Sequence, residues 1–144
     1  MIPYAESSAI LSWLLGERRG ATVRELLAGA ELVLASELTV LECHRALLRA
    51  VHTGRMAEGE AGDLRGRLSH ASLHWVLLAM DSDVLERARR PFPGEPIRTL
   101  DAIHLATALT ARSAVPNVAL LSLDERVRRN GAELGFQLLP PLIP

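Results

Sequence analysis

The chain has 144 residues, is 49% hydrophobic and only 3% aromatic, and carries a formal net charge of −1. This length is typical of one domain, so we expect a single domain over residues 1–144 whose core is built from leucine, alanine and valine. The even charge balance excludes nucleic-acid binding driven by bulk positive charge. A single cysteine, Cys43, excludes an internal disulfide and a cysteine-based zinc site.

The N-terminal segment shows no targeting signal. It lacks the basic stretch followed by an apolar run that marks a secretory signal peptide. No apolar stretch approaches the roughly 20 residues that a membrane span needs. We therefore expect a soluble, cytoplasmic protein without membrane contact.

Apolar patterning, interrupted by glycine and proline, predicts strands that alternate with helices along the chain. This alternation is typical of a parallel sheet covered by helices, so we predict the α/β class. The predicted strands are 2–5, 32–34, 73–80, 118–121 and 136–139. The predicted helices are 7–15, 21–28, 37–51, 57–71, 81–89, 100–112 and 125–131, with a rigid loop at 91–96.

Four acidic residues each stand alone in an otherwise apolar segment: Glu6, Glu42, Asp101 and Asp124. A buried carboxylate without a partner is costly, and the chain contains no lysine to neutralise it. Glu6 and Asp124 directly follow predicted strands, so both should lie at the carboxyl edge of the sheet, with the other two acids facing them. Four carboxylate ligands suit Mg²⁺ or Mn²⁺ better than zinc, so a shared divalent cation would resolve the cost.

Each acid also has a local explanation, because the first turn of a helix favours acids and capping residues. Taken singly, the local explanation is the simpler one for each acid. Taken together, four acids at the corresponding ends of their elements favour a shared cation. The candidate caps are Ser7 or Ser8 after Glu6, Thr39 paired with Glu42, Thr99 before Asp101, and Ser122 paired with Glu125 around Asp124.

His104 is a candidate for orienting an acid, and the serines after the first strand are candidates for a nucleophile. His104 lies one helical turn after Asp101 and could orient it, although a histidine that simply packs in the core is the commoner case. Ser7 and Ser8 have no evident histidine partner in the sequence, which disfavours a serine nucleophile.

Arginine supplies every basic residue of the chain. Arginines that border an acidic crevice can hold phosphates through paired hydrogen bonds. We expect this role for Arg45, Arg98 and Arg126, whereas Arg128 and Arg129 are expected on a solvated helix face.

The segments around the four acids resemble the motifs of the PIN domain family, and within it the VapC-like toxin ribonucleases. YAESSAIL resembles the opening motif and carries Glu6, and ELTVLECHRALLR resembles the second motif with Glu42. RTLDAIHLATAL, with Asp101, is the most specific match. LLSLDERVRRNGAELGFQLL resembles the closing motif, with Asp124 as its acid and Ser122 two positions earlier. The order and spacing of these motifs extend the resemblance over nearly the whole chain.

The resemblance implies a three-layer α/β/α sandwich with a central parallel sheet, and metal-dependent endonucleolytic cleavage of RNA. It implies that Glu6, Glu42, Asp101 and Asp124 are the catalytic residues and hold Mg²⁺ or Mn²⁺, with Ser8 and Ser122 assisting. Such a metal would activate a water molecule and stabilise charge on the phosphate. The resemblance also implies a homodimer and a cognate antitoxin, as in type II toxin–antitoxin pairs.

The chain departs from the family pattern at its first acid, which is normally aspartate and here is Glu6. The extra methylene moves the carboxylate by more than about 1 Å, whereas Mg²⁺ demands near-ideal geometry. An alternative is therefore a catalytically weakened or inactive PIN-like module that binds RNA or a partner protein. A phosphohydrolase acting on small esters is a further alternative, but AESSA lacks the DxD spacing it would need after the first strand.

Overall fold

The computed structural model describes residues 1–141 and contains five strands and seven helices in this range. The strands are β1 Ile2–Ala5, β2 Leu34–Ser36, β3 Val76–Leu78, β4 Val118–Leu121 and β5 Leu138–Leu139. The helices are α1 Ser7–Leu14, α2 Gly20–Ala28, α3 Glu37–His52, α4 Glu58–Ser72, α5 Ser82–Ala88, α6 Thr99–Ala114 and α7 Glu125–Glu133. Among the described residues, no helix combines the length and the apolar character that a membrane crossing requires.

The five strands form one parallel sheet in the order β3-β2-β1-β4-β5. The chain builds outward from β1 to β3 and then returns to place β4 on the other side of β1. This reversal makes the gap beyond the carboxyl ends of β1 and β4 the topological switch point, where open parallel sheets bind ligands.

Alternating residues of the central strands send their side chains to opposite faces of the sheet. Tyr4 and Leu120 pack in a core with residues of α5, α6 and α7. Ala5 and Leu121 pack in a second core with residues of α1, α2, α3 and α4. The sheet is therefore the middle of three layers, and the predicted α/β/α sandwich with a central parallel sheet is confirmed.

The predicted strands 32–34, 73–80 and 136–139 differ from the observed ones in their bounds. β2 lies two residues later, because pairing continues to Ser36, which also caps α3. β3 is much shorter than predicted, because its partner β2 offers only three residues to pair with. Leu73, which was placed in this strand, instead ends α4 and is 79% exposed.

Candidate active site

Residues at the carboxyl ends of β1 and β4 form the floor of the candidate site. The backbone N–H of Glu6 donates to the Leu121 carbonyl at 2.9 Å, which continues the β1–β4 ladder by one residue. Ser122 follows β4 directly and is fully buried. The sheet therefore sets Glu6 and Ser122 side by side.

The Glu6 carboxylate is buried and is held by three neutral donors. Its Oε1 accepts the Ser8 backbone N–H at 3.2 Å, and its Oε2 accepts the Ser122 hydroxyl at 2.7 Å and the Ser8 hydroxyl. Glu6 is itself the N-cap of α1, so the expectation that Ser7 or Ser8 caps this helix was wrong. These bonds fix the orientation of the carboxylate.

Ser8 connects Glu6 to the start of α7. Its hydroxyl oxygen accepts the backbone N–H of Leu123 at 2.9 Å and that of Asp124 at 3.1 Å while it donates to Glu6. Asp124 N–H also lies 3.1 Å from Ser122 Oγ. The two hydroxyls predicted to assist therefore tie the first acid to the last one.

Asp124 is the N-cap of α7. Its Oδ1 accepts the backbone N–H groups of Arg126 at 2.9 Å and Val127 at 3.1 Å, which leaves Oδ2 to face outward to Arg98 at 3.1 Å. The predicted capping box of Ser122 with Glu125 was wrong, because Asp124 provides the cap itself. Capping therefore restrains one oxygen and leaves the other to pair with Arg98.

Asp101 lies in the first turn of α6 with only 8% of its side chain exposed. Arg98 donates to it through Nε at 2.9 Å and through Nη2 at 3.4 Å. These hydrogen bonds and the charge of Asp101 raise the pKa of Arg98, which stays protonated. Thr99 does not cap α6 as was expected: the N-cap is Arg98, and no side-chain bond caps this end.

Glu42 lies on α3, one turn beyond its capping residues. Ser36 caps α3 in a reciprocal arrangement with Thr39, so the predicted pairing of Thr39 with Glu42 was wrong. Glu42 Oε1 instead accepts the Ser7 hydroxyl at 2.7 Å and His104 Nε2 at 2.5 Å.

The surroundings of Glu42 favour its ionised form. Burial raises the pKa of a carboxyl, but the hydrogen bonds from His104 and Ser7 lower it, and the total effect is a pKa below the usual value. The charge of Arg98 acts in the same direction. Glu42 is therefore an anion at neutral pH.

The spacing of His104 and Asp101 allowed His104 to orient that acid, but the hydrogen bonds of His104 go to other residues. It is buried, and within the described residues its contacts are with Glu42, with Ser7 Oγ at 3.1 Å and with the Tyr4 hydroxyl at 2.8 Å. Its Nε2 also lies 4.0 Å from Glu6 Oε1.

Two residues of this cluster were missed in the sequence. Ser7 was set aside for want of a histidine partner, yet it has one in His104, and Tyr4 was regarded only as a strand residue. Both flank Glu6 in YAESSA, and proximity to a candidate acid on the strand end was the available signal.

The arginines fall into different environments. Arg98 contacts two of the four acids, while Arg45 and Arg126 are exposed and donate no side-chain hydrogen bond to an acid within the described part of the chain. Arg128 was expected on a solvated face, but it is buried and donates to the backbone carbonyls of Ser122, Leu139 and Pro140. Its role is therefore to bind the C-terminal strand to the end of β4.

The donor chemistry of the site fits a hard divalent cation, since its four acids are carboxylates linked to one another through Arg98, His104 and the serines. Within residues 1–141, however, no three acidic, histidine or cysteine side chains are arranged as a ready-formed metal site. The chain contains no lysine, but the expectation that these acids lack partners was wrong, because Arg98 pairs with Asp101 and Asp124 and His104 donates a hydrogen bond to Glu42. The ligand atoms suit the ion, and Arg98 occupies the space between two of them.

A parallel three-layer sandwich with acidic side chains at its switch point places the protein among the α/β proteins with a candidate site at the carboxyl edge of the sheet. The model of the PIN domain matches residues 4–133 of the chain. The chain therefore belongs to the PIN domain family.

Two relatives agree with this assignment. Ribonuclease VapC46 of Mycobacterium tuberculosis is 36% identical over 138 residues, which are 96% of each chain. Ribonuclease VapC35 of the same organism is 38% identical over 58 residues, which are 40% of this chain and 43% of that one.

The structural neighbours share the fold. A toxin–antitoxin complex from Klebsiella pneumoniae aligns with a TM-score of 0.60 at 20% identity, covering 99% of this chain and 98% of that chain. VapC20 of Mycobacterium tuberculosis, a sarcin-ricin loop cleaving toxin, aligns with a TM-score of 0.63 at 18% identity, covering 94% and 96%.

Proposed function

We propose that this protein is a metal-dependent endoribonuclease, a hydrolase of phosphodiester bonds, and the toxin of a type II toxin–antitoxin pair. Membership of the PIN domain family and the full-length similarity to Ribonuclease VapC46 support this proposal. The observation that carries it is the meeting of four separate acids around the switch point of the sheet: Glu6, Glu42, Asp101 and Asp124. Helix capping accounts for the positions of Glu6 and Asp124 but not for those of Glu42 and Asp101.

We infer that Mg²⁺ or Mn²⁺ is held by these four carboxylates, which are the oxygen ligands both ions prefer. When bound, such an ion activates a water molecule and stabilises negative charge on the scissile phosphate. Ser8 and Ser122 orient the Glu6 carboxylate by donating to Oε2, and Ser7 and His104 orient Glu42. The protein thus presents fixed carboxylates before any ligand arrives.

Arg98 has two successive roles in this proposal. In the metal-free protein it balances Asp101 and Asp124. Its side chain is 62% exposed, so it would turn outward if a divalent cation took its place beside these carboxylates. The guanidinium would then be placed to donate to a phosphate of the RNA backbone, with the exposed Arg45 and Arg126 as further, weaker contacts.

The partners follow from the same assignment. We propose cellular RNA as the substrate, cleaved in the cytoplasm, and a cognate antitoxin as the inhibitor; one neighbour of the same fold is a toxin–antitoxin complex. We further propose that residues 1–144 form one PIN-like domain that assembles as a homodimer.

The proposal is tested by incubating RNA with the purified protein and Mg²⁺ or Mn²⁺. We expect internal cleavage by the wild type that stops when the cation is chelated, and loss of cleavage in Asp101→Asn. Cleavage that is equal in the two proteins would overturn the catalytic assignment.

A second candidate is a PIN-like module that binds RNA or a partner protein without cutting. It is favoured by Glu6 in place of the family's usual aspartate and by the absence of a ready-formed metal cluster within residues 1–141. The intact cluster of the other three acids and their hydrogen-bonded supports favour the enzyme.

A further inference from the structure

A buried polar chain runs from the middle of the sheet to the candidate site. It joins Tyr4 on β1, His104 on α6 and Glu42 on α3, residues that are separated by 100 and 62 positions in sequence. Tyr4 is 0% and His104 1% exposed, whereas the Glu42 side chain is 26% exposed. The chain therefore starts in the core and ends at the carboxylate that reaches the crevice.

The chemistry of the three groups sets the direction of each hydrogen bond. An ionised carboxylate only accepts, so the proton between His104 and Glu42 belongs to Nε2, which donates across 2.5 Å. In a neutral imidazole the other nitrogen, Nδ1, then accepts. The Tyr4 hydroxyl keeps its proton at neutral pH and donates to Nδ1 across 2.8 Å. Tyr4 thus selects the ring tautomer that can bind Glu42.

The donors around Glu42 converge on one of its two oxygens. His104 Nε2 and the Ser7 hydroxyl both bind Oε1. Within the described residues, no hydrogen bond engages Oε2. Fixing one oxygen by two donors restrains the rotation of the carboxylate and leaves the second oxygen for an incoming ligand.

We propose that Tyr4 and His104 are positioning residues that hold Glu42 in its metal-binding orientation. This inference rests on the proposed function and adds two residues that touch neither the metal nor the RNA. Partners of this kind, which orient a ligand from behind, change metal affinity by about 10- to 100-fold when they are removed. The effect requires no change in the remaining three acids.

The test measures Mn²⁺ affinity by titration calorimetry on the full chain, together with kcat and KM for RNA cleavage and with thermal stability. The variants are His104→Leu, His104→Gln and Tyr4→Phe. His104→Leu removes the donor, whereas the amide of His104→Gln can again donate to Glu42. Tyr4→Phe keeps the ring in place and removes only the hydroxyl.

We expect His104→Leu to weaken Mn²⁺ binding by about 10- to 100-fold and His104→Gln to recover most of that loss. We expect Tyr4→Phe to weaken binding by up to about tenfold, since the ring remains but its tautomer is no longer fixed. The loss should appear in kcat rather than in KM, because RNA contacts are unchanged. If His104→Leu does not fold, Tyr4→Phe and His104→Gln still decide the question.

Val84→Ala is the matched control, since Val84 is buried on α5 in the same core as Tyr4 and, within residues 1–141, makes no hydrogen bond to any of the four candidate acids. It should lower the melting temperature and leave the Mn²⁺ affinity unchanged. Wild-type affinity in both Tyr4→Phe and His104→Leu, with only a loss of stability as in Val84→Ala, would overturn the positioning role alone. A wild-type protein that neither binds Mn²⁺ nor cleaves RNA would instead overturn the proposed function and this inference with it.

Discussion

Arg98 binds the carboxylate of Asp101 through its Nε at 2.9 Å, three residues apart at the start of α6. The same guanidinium reaches Asp124 Oδ2 at 3.1 Å from the other side of the crevice. One exposed side chain therefore balances two buried or half-buried acids that come from different elements. The proposed cation and Arg98 compete for the same two carboxylates.

Replacing Arg98 by glutamine should increase the affinity of the protein for Mn²⁺. The ion then no longer displaces a guanidinium from Asp101 and Asp124. The metal-free protein should lose no more than about 1 kcal/mol of stability, because Arg98 is largely exposed and such pairs contribute little. Calorimetric titration and melting temperatures with and without Mn²⁺ measure both effects.

Arg126→Gln is the control for this experiment, since Arg126 is exposed beside Asp124 and its side chain makes no hydrogen bond within residues 1–141. It should leave the affinity for Mn²⁺ close to that of the wild type. A weaker or unchanged affinity in Arg98→Gln would show that the guanidinium does not compete with the cation.

Ser122→Ala should destabilise the fold, whereas Ser12→Ala should not. Ser122 Oγ donates to buried Glu6 and accepts from Asp124 N–H, so its loss leaves a buried carboxylate short of a donor. We expect a cost of about 1–3 kcal/mol in the free energy of unfolding. Ser12 Oγ is buried without a partner among the described residues, so its removal should be neutral or stabilise by up to about 1 kcal/mol. Denaturant unfolding measures the free energy of unfolding of both variants. An equal loss in both would contradict the claim that the Ser122 hydroxyl stabilises the buried Glu6 carboxylate.

Arg128→Ala should be strongly destabilising, whereas Arg129→Ala should be nearly silent. The buried guanidinium of Arg128 donates to the Ser122 and Pro140 carbonyls at 2.8 Å and to Leu139 at 3.0 Å. Losing these bonds leaves buried carbonyls unpaired, for which we expect about 2–4 kcal/mol. Exposed Arg129 should change the free energy of unfolding by less than about 0.5 kcal/mol. Similar values for the two variants would contradict this assignment.

The Glu6→Asp variant distinguishes the proposed ribonuclease from the alternative, a PIN-like module that binds without cutting. Aspartate is an equally good N-cap, so α1 should be retained. The shorter side chain draws the carboxylate away from the Ser8 and Ser122 hydroxyls. We expect the wild type to cleave RNA and Glu6→Asp to remain within about tenfold of it, because both side chains offer a carboxylate at this position. Cleavage that appears only in Glu6→Asp would favour the binding module.

The order of the elements and the places of the four acids were predictable from the sequence, because apolar periodicity reports burial and parallel strands share one carboxyl edge. The helix caps were not. Glu6 and Asp124 each proved to cap the helix that follows them, so local capping and membership of the acidic cluster coexist in one residue.

The hydrogen-bond partners of the acids were not predictable either, because they depend on which face of a helix packs against which strand. His104 follows Asp101 by one turn in sequence, but the packing of α6 against β1 turns it toward Tyr4 and Glu42. In the sequence, Arg128 resembles several arginines expected on the surface. Only the fold shows that its side chain is buried and donates to the backbone of β5. Long-range contacts of this kind leave no periodic signal.

The most direct test of the four-carboxylate site compares two of its acids, Asp101 in the first turn of α6 and Asp124 at the N-cap of α7, with the neighbouring acid Glu125. RNA cleavage with Mn²⁺ would be measured for the wild type, Asp101→Asn, Asp124→Asn and Glu125→Gln. Asparagine retains the cap at 124, and Glu125 is an exposed first-turn acid beside the site, so the comparison isolates the carboxylate. The four-carboxylate site predicts a loss of RNA cleavage of at least about 100-fold in both asparagine variants and wild-type cleavage in Glu125→Gln. Full cleavage by Asp101→Asn and Asp124→Asn would contradict it.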